Sequence, residues 1–392
     1  MANILMINFP AEGHVNPTLG IVKAFAERGD SVHYITTEKF KERLEKVGAT
    51  VHLQPDLLSK ASIDPYSNAG LNAFLKIQIQ TSLDALDITK QLSQDIDFDF
   101  VFYEKFGAGQ LVRDYLQIPG VCSSASFLFP KEFLKNMPLS PESGFKPDEE
   151  AEKLMVQMKE CYGVEPESSA QFMNNAAELT IVFTSRYFQP NSEKFDDSNI
   201  FIGPTFPKRA YTGSFPFEAL EDEQVLYISM GTVLDRTEEF FNTCIDAFSD
   251  FKGKVVIAAG ERVDMTKIKE APEHFIISSY VPQLKVLEHT DVFITHGGMN
   301  SVNESIHFNI PMVVIPHDKD QPTVAQRLTE LNAGYRVSKD NLKPETLKDA
   351  VKEVLTNEIY KEGIKKINES FQKSGGAEKA IEAIDAFVQN KK

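Results

Sequence analysis

Residues 295–321 read THGGMNSVNESIHFNIPMVVIPHDKDQ and carry the most informative pattern of the chain. The segment runs from the end of a β-branched strand, Asp291–Thr295, through a helix into a second apolar strand, Met312–Ile315, which predicts a parallel β-α-β unit. Gly297 and Gly298 allow a tight turn between strand and helix, so the first backbone amides of the helix would face a diphosphate. The segment therefore favours an α/β domain that binds a phosphate compound.

Polar side chains follow this turn at short spacing. His296, Asn300 and Ser301 stand at the mouth of the helix, where they could donate hydrogen bonds to phosphate oxygens. Glu304, about one helical turn beyond Asn300, could accept hydrogen bonds from ribose hydroxyls. Considered alone, the segment is equally compatible with a tight turn and a capping asparagine without a ligand.

Three further motifs extend the pattern along the chain. Tyr280-Val281-Pro282-Gln283 offers an aromatic face for base stacking and a carboxamide for a base edge or ribose. Asp320-Gln321 could bind sugar hydroxyls, and Ser229-Met230-Gly231-Thr232 ends a strand with small residues that admit a phosphate. Considered separately, Tyr280 could be an aromatic residue that packs in the core, and Asp320-Gln321 could be a solvated turn. Their order in one chain favours binding.

The alternation of strands and helices occurs twice. Strand candidates before residue 204 are Asn3–Phe9, Ser31–Thr36, Thr50–Leu53, Asp99–Tyr103 and Gly120–Ser124. Those after residue 222 are Gln224–Ser229, Lys254–Ala258, Phe275–Ser278 and the two strands around the first motif. We predict two α/β units with parallel sheets, 1–203 and 223–375. The proline-containing segment 204–222 is the predicted linker, and 376–392 the last helix.

Net charge, cysteine content and the absence of other motifs exclude several classes of partner and site. The chain has 392 residues, with 41 Lys and Arg against 57 Asp and Glu, and a net charge of −16. This charge repels nucleic acid and anionic lipid, so we expect neither as a partner. The three cysteines indicate neither a disulfide framework nor a zinc site. We recognise no signal peptide or membrane-spanning run, and no GxGxxG, P-loop, HExxH or GxSxG motif, and expect a cytoplasmic protein.

The order of the motifs from Tyr280 to Gln321 resembles the donor-binding signature of the inverting UDP-glycosyltransferases of the GT-B fold. Within these, the chain is most similar to the bacterial macrolide-glycosyltransferase group of Bacillus-type organisms. The resemblance covers nearly the whole chain, since Gly13-His14-Val15-Asn16-Pro17 matches the family's Gly-His-x-x-Pro loop after the first strand. It implies two Rossmann-like domains with parallel sheets that face each other across a cleft, the N-terminal domain binding acceptor and the C-terminal domain binding donor. It also implies a last helix that crosses back to the N-terminal domain.

The resemblance also implies roles for single residues. Tyr280 would stack on uracil, Gln283 would contact the nucleoside and Glu304 the ribose. The diphosphate would meet Thr232, His296, Asn300 and Ser301, the sugar would meet Asp320 and Gln321, and Val281, Gly231 and Gly298 complete the expected donor site. The sequence departs from the family in having Tyr280 where plant relatives have Trp, and Glu104 where an Asp is usual.

The expected catalytic pair is His14 and Glu104. A hydroxyl is a poor nucleophile, and a histidine with a pKa near its reference value of about 6.5 can remove its proton during attack. A carboxylate behind the ring would hold the tautomer and stabilise the imidazolium. Both residues follow strands of the first domain, and parallel strands bring such loops to one edge. The alternative for His14 is a structural loop histidine beside a helix that begins with Asn16 as its N-cap and ends at Gly29.

The sequence thus predicts an inverting transfer of glucose from UDP-glucose to a small, largely apolar hydroxyl compound, phenolic, flavonoid or macrolide-like. Asp95, Asp97 and Asp99 alternate like the carboxylates of a metal site, but they fit a solvated strand entry. We therefore expect neither a metal nor a cofactor. The acceptor-binding site could be lined by Phe127, Phe129, Phe133 and the apolar segment Leu71–Leu86. The alternative is that these residues belong to the core. Two alternatives remain open: a GT-B sugar-nucleotide epimerase, and a non-catalytic nucleotide-sugar binding protein. The oligomeric state is not predicted.

Overall fold

The structure is a computed structural model that describes residues 1–59, 67–135, 138–206, 214–231, 237–260 and 262–391. Internal contacts divide the chain into two compact units, residues 1–207 with 374–392 and residues 208–373. Residues 207–213 of the predicted linker lie outside the described residues. No helix in the described ranges is long and apolar enough to cross a bilayer.

The elements alternate along the chain as expected for an α/β protein. The strands are β1 (Asn3–Ile7), β2 (Ser31–Thr36), β3 (Thr50–Leu53), β4 (Phe100–Glu104), β5 (Gly120–Ser124), β6 (Leu179–Val182), β7 (Asn199–Phe201), β8 (Val225–Ser229), β9 (Lys254–Ala258), β10 (Phe275–Ser278), β11 (Val292–Thr295), β12 (Met312–Val314) and β13 (Gly334–Arg336). The helices are α1 (Glu12–Val15), α2 (Leu19–Arg28), α3 (Glu38–Glu45), α4 (Asn68–Leu92), α5 (Gly109–Leu116), α6 (Lys131–Leu134), α7 (Glu149–Tyr162), α8 (Thr237–Phe248), α9 (Gln283–Leu287), α10 (Met299–His307), α11 (Gln321–Glu330), α12 (Pro344–Thr356), α13 (Ile359–Gln372) and α14 (Gly376–Gln389).

The sheet of the first unit is parallel and runs in the order β3-β2-β1-β4-β5-β6-β7. Its strands read as apolar runs because helices cover both faces, as in other parallel sheets. The chain first builds outward from β1 to β3 and then returns to pair β4 with the other side of β1. The neighbouring strands β1 and β4 therefore form the topological switch point, beside which ligands bind in such folds.

The C-terminal helix α14 belongs to the first unit. Ala380, Ile384 and Val388 recur every four residues and are buried in the same apolar core as β1 and α2. The N–H of Gly376 donates to the carbonyl of Ile202 over 2.9 Å. This packing ties the end of the chain to the sheet that contains its beginning.

The second unit repeats the architecture. Its parallel sheet runs in the order β10-β9-β8-β11-β12-β13, with its own switch point between β8 and β11. Ser229, the last residue of β8, pairs with Thr295, the last residue of β11. The loops that follow these two strands therefore begin side by side. The prediction of two α/β units with parallel sheets is confirmed.

Two local predictions differ from the structure. Asn16 is not an N-cap: it has helical backbone angles and begins a 3₁₀ turn that links α1 to α2. Its side chain instead bonds to Glu12 and Arg43, so it is not available to cap a helix. The end of α2 at Gly29 is confirmed, with a left-handed φ of 95° that favours glycine.

Three strands, β6, β7 and β13, were not predicted. β7 and β13 are three residues long and lie at sheet edges, and β6 has four residues. β12 is equally short but was predicted from its buried apolar run, whereas β7 and β13 contain exposed or half-buried residues and do not form such a run. Their place is set by pairing with the neighbouring strand.

Candidate active site

His14 and Glu104 meet at the switch point of the first unit. Glu104 ends β4, and His14 lies in the short helix α1 that follows β1, so the neighbouring strands bring together residues ninety positions apart. The imidazole Nδ1 lies 2.6 Å from the carboxylate Oε2. The glutamate side chain is 2% exposed and that of the histidine 26%. The pair is thus a buried carboxylate behind an accessible imidazole.

The backbone holds the carboxylate in one orientation. The N–H of Phe9 donates to Oε1 of Glu104 over 2.7 Å, which leaves Oε2 to face the ring of His14. A carboxylate only accepts hydrogen bonds, so the proton of neutral His14 is held on Nδ1 and Nε2 becomes the basic nitrogen. Glu at this position, instead of the family's usual Asp, reaches the histidine.

Two phenylalanines fix the plane of the imidazole. The rings of Phe9 and Phe106 each lie 5.2 Å from that of His14, with interplanar angles of 68° and 77°. These edge-to-face arrangements are favourable for aromatic rings. They surround the polar pair with apolar surface.

An ion pair between Arg43 and Glu12 anchors the short helix that carries His14. Arg43 of α3 donates from Nη1 to Glu12 over 2.5 Å and to Oδ1 of Asn16 over 2.6 Å. Burial opposes ionisation of Glu12, but Arg43 and Lys39 outweigh it and lower the pKa of this carboxyl. Sequence reasoning missed this contact because its members are about thirty residues apart with no shared periodicity.

In the second unit, His296 lies between two glycines at the switch point. A Cβ added at Gly231 would come within 2.7 Å of the His296 ring, and one at Gly298 within 2.4 Å. Gly231 also has a left-handed φ of 73°. The two glycines, predicted as donor-site residues, therefore leave the space that this imidazole fills at the N-terminus of α10.

Burial makes His296 a neutral group. It lowers the pKa of His296 to about 4, with the neighbouring His317 and Lys319 acting in the same direction. Within the described part of the chain, Nδ1 of His296 is buried and has no hydrogen-bond partner. At neutral pH this ring carries one N–H donor and one acceptor nitrogen, without a positive charge.

Gln283, Ser301 and Glu304 form one hydrogen-bonded group. The carboxamide of Gln283 donates from Nε2 to Glu304 over 2.6 Å and to Ser301 Oγ over 3.3 Å. It accepts from the hydroxyl of Tyr227 over 3.1 Å. Glu304 is 5% exposed, so this network holds a buried carboxylate in the middle of α10. Tyr227 was not identified from the sequence, in which it reads as a core strand residue.

The remaining predicted donor residues differ in exposure. Tyr280 is 64% exposed, an unusual position for a large ring, whereas Val281 is buried. Asn300 lies half-buried in the first turn of α10. Thr232 lies outside the described residues.

Gln321 is engaged with its own loop. Its Oε1 accepts from the backbone N–H groups of His317 and Asp318, and its Nε2 donates to the Asp318 carboxylate. The neighbouring Asp320 is half-buried at the start of α11. In the described residues Nε2 of His317 is buried without a partner, a feature that its sequence position did not signal. Gln321 therefore orders the loop between β12 and α11.

Phe127, a candidate for the acceptor side, is 3% exposed and packs on Phe188 with ring centroids 5.0 Å apart. This position supports the core alternative for Phe127. Phe129 and Phe133 stack on each other at 4.8 Å, and Leu71–Leu86 lies within α4. Among the described residues, no group of three or more His, Cys, Asp or Glu side chains is arranged to hold a metal ion.

Comparison with known proteins adds independent evidence. The model of the family "UDP-glucoronosyl and UDP-glucosyl transferase" matches residues 190–374, which include the second unit. The Bacillus subtilis protein YdhE, described as an uncharacterized UDP-glucosyltransferase, is 63% identical over 393 residues and all of both chains. The NDP-glycosyltransferase YjiC of the same organism is 33% identical, with 99% of this chain and 97% of that protein covered.

Solved structures show the same architecture over the full length. The calicheamicin glycosyltransferase CalG4 is 26% identical, with a TM-score of 0.82 and coverage of 99% of this chain and 98% of its own. The glycosyltransferase of kitacinnamycin is 25% identical, with a TM-score of 0.85 and 98% of both chains covered. Since sequence similarity and fold agree along the whole chain, it belongs to the UDP-glycosyltransferase family and is a glycosyltransferase of the GT-B fold.

Proposed function

We propose that the protein transfers glucose from UDP-glucose to a hydroxyl of a small, largely apolar acceptor, with His14 as general base and inversion at the anomeric carbon. The observation that carries the proposal is the 2.6 Å contact between His14 Nδ1 and the buried Glu104 carboxylate. It supplies an oriented base where the strand order of the first unit favours ligand binding. The relative named as a UDP-glucosyltransferase supports glucose as the sugar.

The proposed step is a single displacement. Nε2 of His14 takes the proton of the acceptor hydroxyl while the hydroxyl oxygen bonds to the anomeric carbon. The bond from that carbon to the diphosphate breaks, and UDP leaves with the electron pair. Attack opposite the leaving group converts the α-linked sugar into a β-glycoside. Glu104 stabilises the imidazolium that forms.

The proposed donor site uses dipoles and hydrogen bonds. The backbone amides of α10, with Asn300 and Ser301, would bind the diphosphate. His296 would add a hydrogen bond as a neutral imidazole, in keeping with its pKa of about 4. The exposed ring of Tyr280 is suited to stacking on uracil, and the Glu304 carboxylate to the ribose hydroxyls. Such a site needs no metal ion for phosphate binding.

The acceptor is proposed to be phenolic, flavonoid or macrolide-like. Support comes from Phe9 and Phe106, whose rings border His14 and offer apolar contact surface beside the base. A sugar-nucleotide epimerase is less favoured, because the relatives compared above are described as transferases. A binding protein without catalysis would not require a carboxylate-oriented histidine.

The donor is tested by comparing UDP-hexoses at equal concentration in excess EDTA. We expect UDP-glucose to give the highest kcat/KM with a phenolic acceptor, and we expect the chelator to have no effect. We expect glucose because members of the family with glutamine at the position of Gln321 use glucose more often than galactose. We expect no effect of EDTA because the proposed phosphate site consists only of hydrogen-bond donors of the protein. The product is quantified by mass spectrometry.

Equal or faster turnover of UDP-galactose would contradict the assignment of glucose. Complete loss of transfer in EDTA, with recovery on adding magnesium or manganese, would contradict the metal-free site. A control without acceptor distinguishes transfer from hydrolysis of the donor.

A further inference from the structure

Three carboxamide side chains line one pocket of the first unit, which we call the amide pocket: Asn8, Gln54 and Gln78. They are 2%, 5% and 1% exposed, respectively. Among the described residues, the side-chain oxygens of all three and Nε2 of Gln78 are buried without a hydrogen-bond partner. Buried polar groups are nearly always paired, with protein, ordered water or a ligand, so these atoms offer hydrogen bonds to a polar group that enters the pocket.

The amide pocket lies at the carboxyl ends of the strands, the side of the sheet on which His14 is found. Asn8 directly follows β1 and Gln54 directly follows β3, while Gln78 reaches the pocket from α4. Phe9 and Phe106 line the same pocket and also contact the imidazole of His14. The pocket and the base therefore share two side chains as a common wall.

Gly107 forms one side of the amide pocket. Gly107, which lines it, has a left-handed φ of 84°, and a Cβ at this position would lie 3.8 Å from Oε1 of Gln78. Glycine leaves the carboxamide uncovered on this side and adopts the conformation without strain. Asn175 holds this backbone by donating to the carbonyls of Glu104 and Gly107, each over 3.0 Å.

Size and chemistry specify what the pocket accepts. Its interior has room for a group of about the size of one water molecule. The oxygens of Asn8, Gln54 and Gln78 require a donor, whereas Nε2 of Gln78 requires an acceptor. A hydroxyl supplies both functions, and a carbonyl oxygen or an ammonium group supplies only one.

We propose that the acceptor carries a second hydroxyl, which enters the amide pocket while the reacting hydroxyl is held at His14. This inference rests on the proposed function and specifies its substrate class: apolar compounds with two hydroxyls on a rigid body, of the polyphenol type. Gln78 is the principal determinant of this specificity, because both ends of its carboxamide need a partner. A molecule with one hydroxyl leaves these groups unpaired and binds less well.

The test uses matched biphenyls with one hydroxyl or with two hydroxyls at different ring positions. Calorimetry measures binding without donor, and steady-state assays with UDP-glucose measure transfer. For the wild-type protein we expect the best dihydroxybiphenyl to bind about tenfold more tightly than its monohydroxy analogue. Gln78→Met, similar in shape but without the carboxamide, should abolish this difference.

Gln80→Met is the matched control, because Gln80 lies on the same helix and does not line the pocket. It should retain the tenfold difference. The melting temperature of Gln78→Met should not fall, since no hydrogen bond of Gln78 is removed within the described structure. Gln54→Met provides a second variant in which the preference should be reduced.

Equal binding of both biphenyl classes by the wild-type protein, or an unchanged preference in Gln78→Met and Gln54→Met, would overturn the proposal and indicate a pocket filled by water alone. Calorimetry measures the binding preference in the absence of donor, so this preference does not depend on catalysis. Transfer to the monohydroxy compound does not require a hydroxyl in the amide pocket. Absence of transfer with an intact binding preference would therefore overturn the proposed function only. Transfer without any binding preference would overturn the amide-pocket proposal only.

Discussion

His14→Ala is expected to lower transfer by about 10² to 10⁴-fold, the usual range for loss of a general base. The carboxylate of Glu104 would remain in place through the N–H of Phe9 but would have no imidazole to orient. UDP binding should be nearly unchanged, because the proposed donor residues belong to the other unit. The measurements are steady-state transfer to a phenolic acceptor and calorimetric titration with UDP.

His296→Ala is the contrasting variant, since it also removes one imidazole. It should weaken UDP binding as well as turnover, because His296 lies at the N-terminus of α10. Wild-type turnover in His14→Ala, or loss of its UDP binding together with activity, would show that His14 has a structural role.

Glu104→Gln is expected to give the second largest loss, about 10 to 10³-fold in kcat, smaller than that of His14→Ala. The Oε1 of glutamine can still accept from the N–H of Phe9, so the side chain should stay in place. Its NH₂ group would then face Nδ1 of His14 as a donor and favour the tautomer that carries the proton on Nε2. An amide also cannot stabilise the imidazolium charge.

Glu104→Asp is the matched control for charge. It keeps the carboxylate and restores the family's usual residue, so it should retain more activity than Glu104→Gln. The kcat of both variants is compared at pH values on either side of the wild-type optimum, with thermal melting as the test of folding. If Glu104→Gln matches the wild-type kcat, the carboxylate does not act through His14.

The sequence was sufficient for the two α/β units and for the position of the candidate pair. Parallel strands bring the loops after β1 and β4 to one edge, so the sequence predicted that His14 and Glu104 lie on the same side of the sheet. That β1 and β4 are neighbouring strands required the structure. Gly231 and Gly298 were also identified from the sequence. Their contact with a single imidazole required the structure, because it joins two loops more than sixty residues apart.

The missed features depend on side chains whose partners are distant in sequence. Asn16 was predicted to cap a helix, a local preference, but Arg43 from α3 competes for its side chain. The three carboxamides of the amide pocket lie on separate elements and follow no hydrophobic period. Only the packing of α4 over the strand ends brings Gln78 to the other two.

The most direct test of the central claim is the anomeric configuration of the product, measured by proton NMR after reaction of UDP-glucose with a monohydroxybiphenyl. We predict a β-glucoside and free UDP in equal amounts, with both absent in a control with heat-denatured protein. An α-glucoside would contradict the single displacement with His14 as base. Conversion of the UDP-sugar to an epimer without a glycoside would contradict the transfer itself.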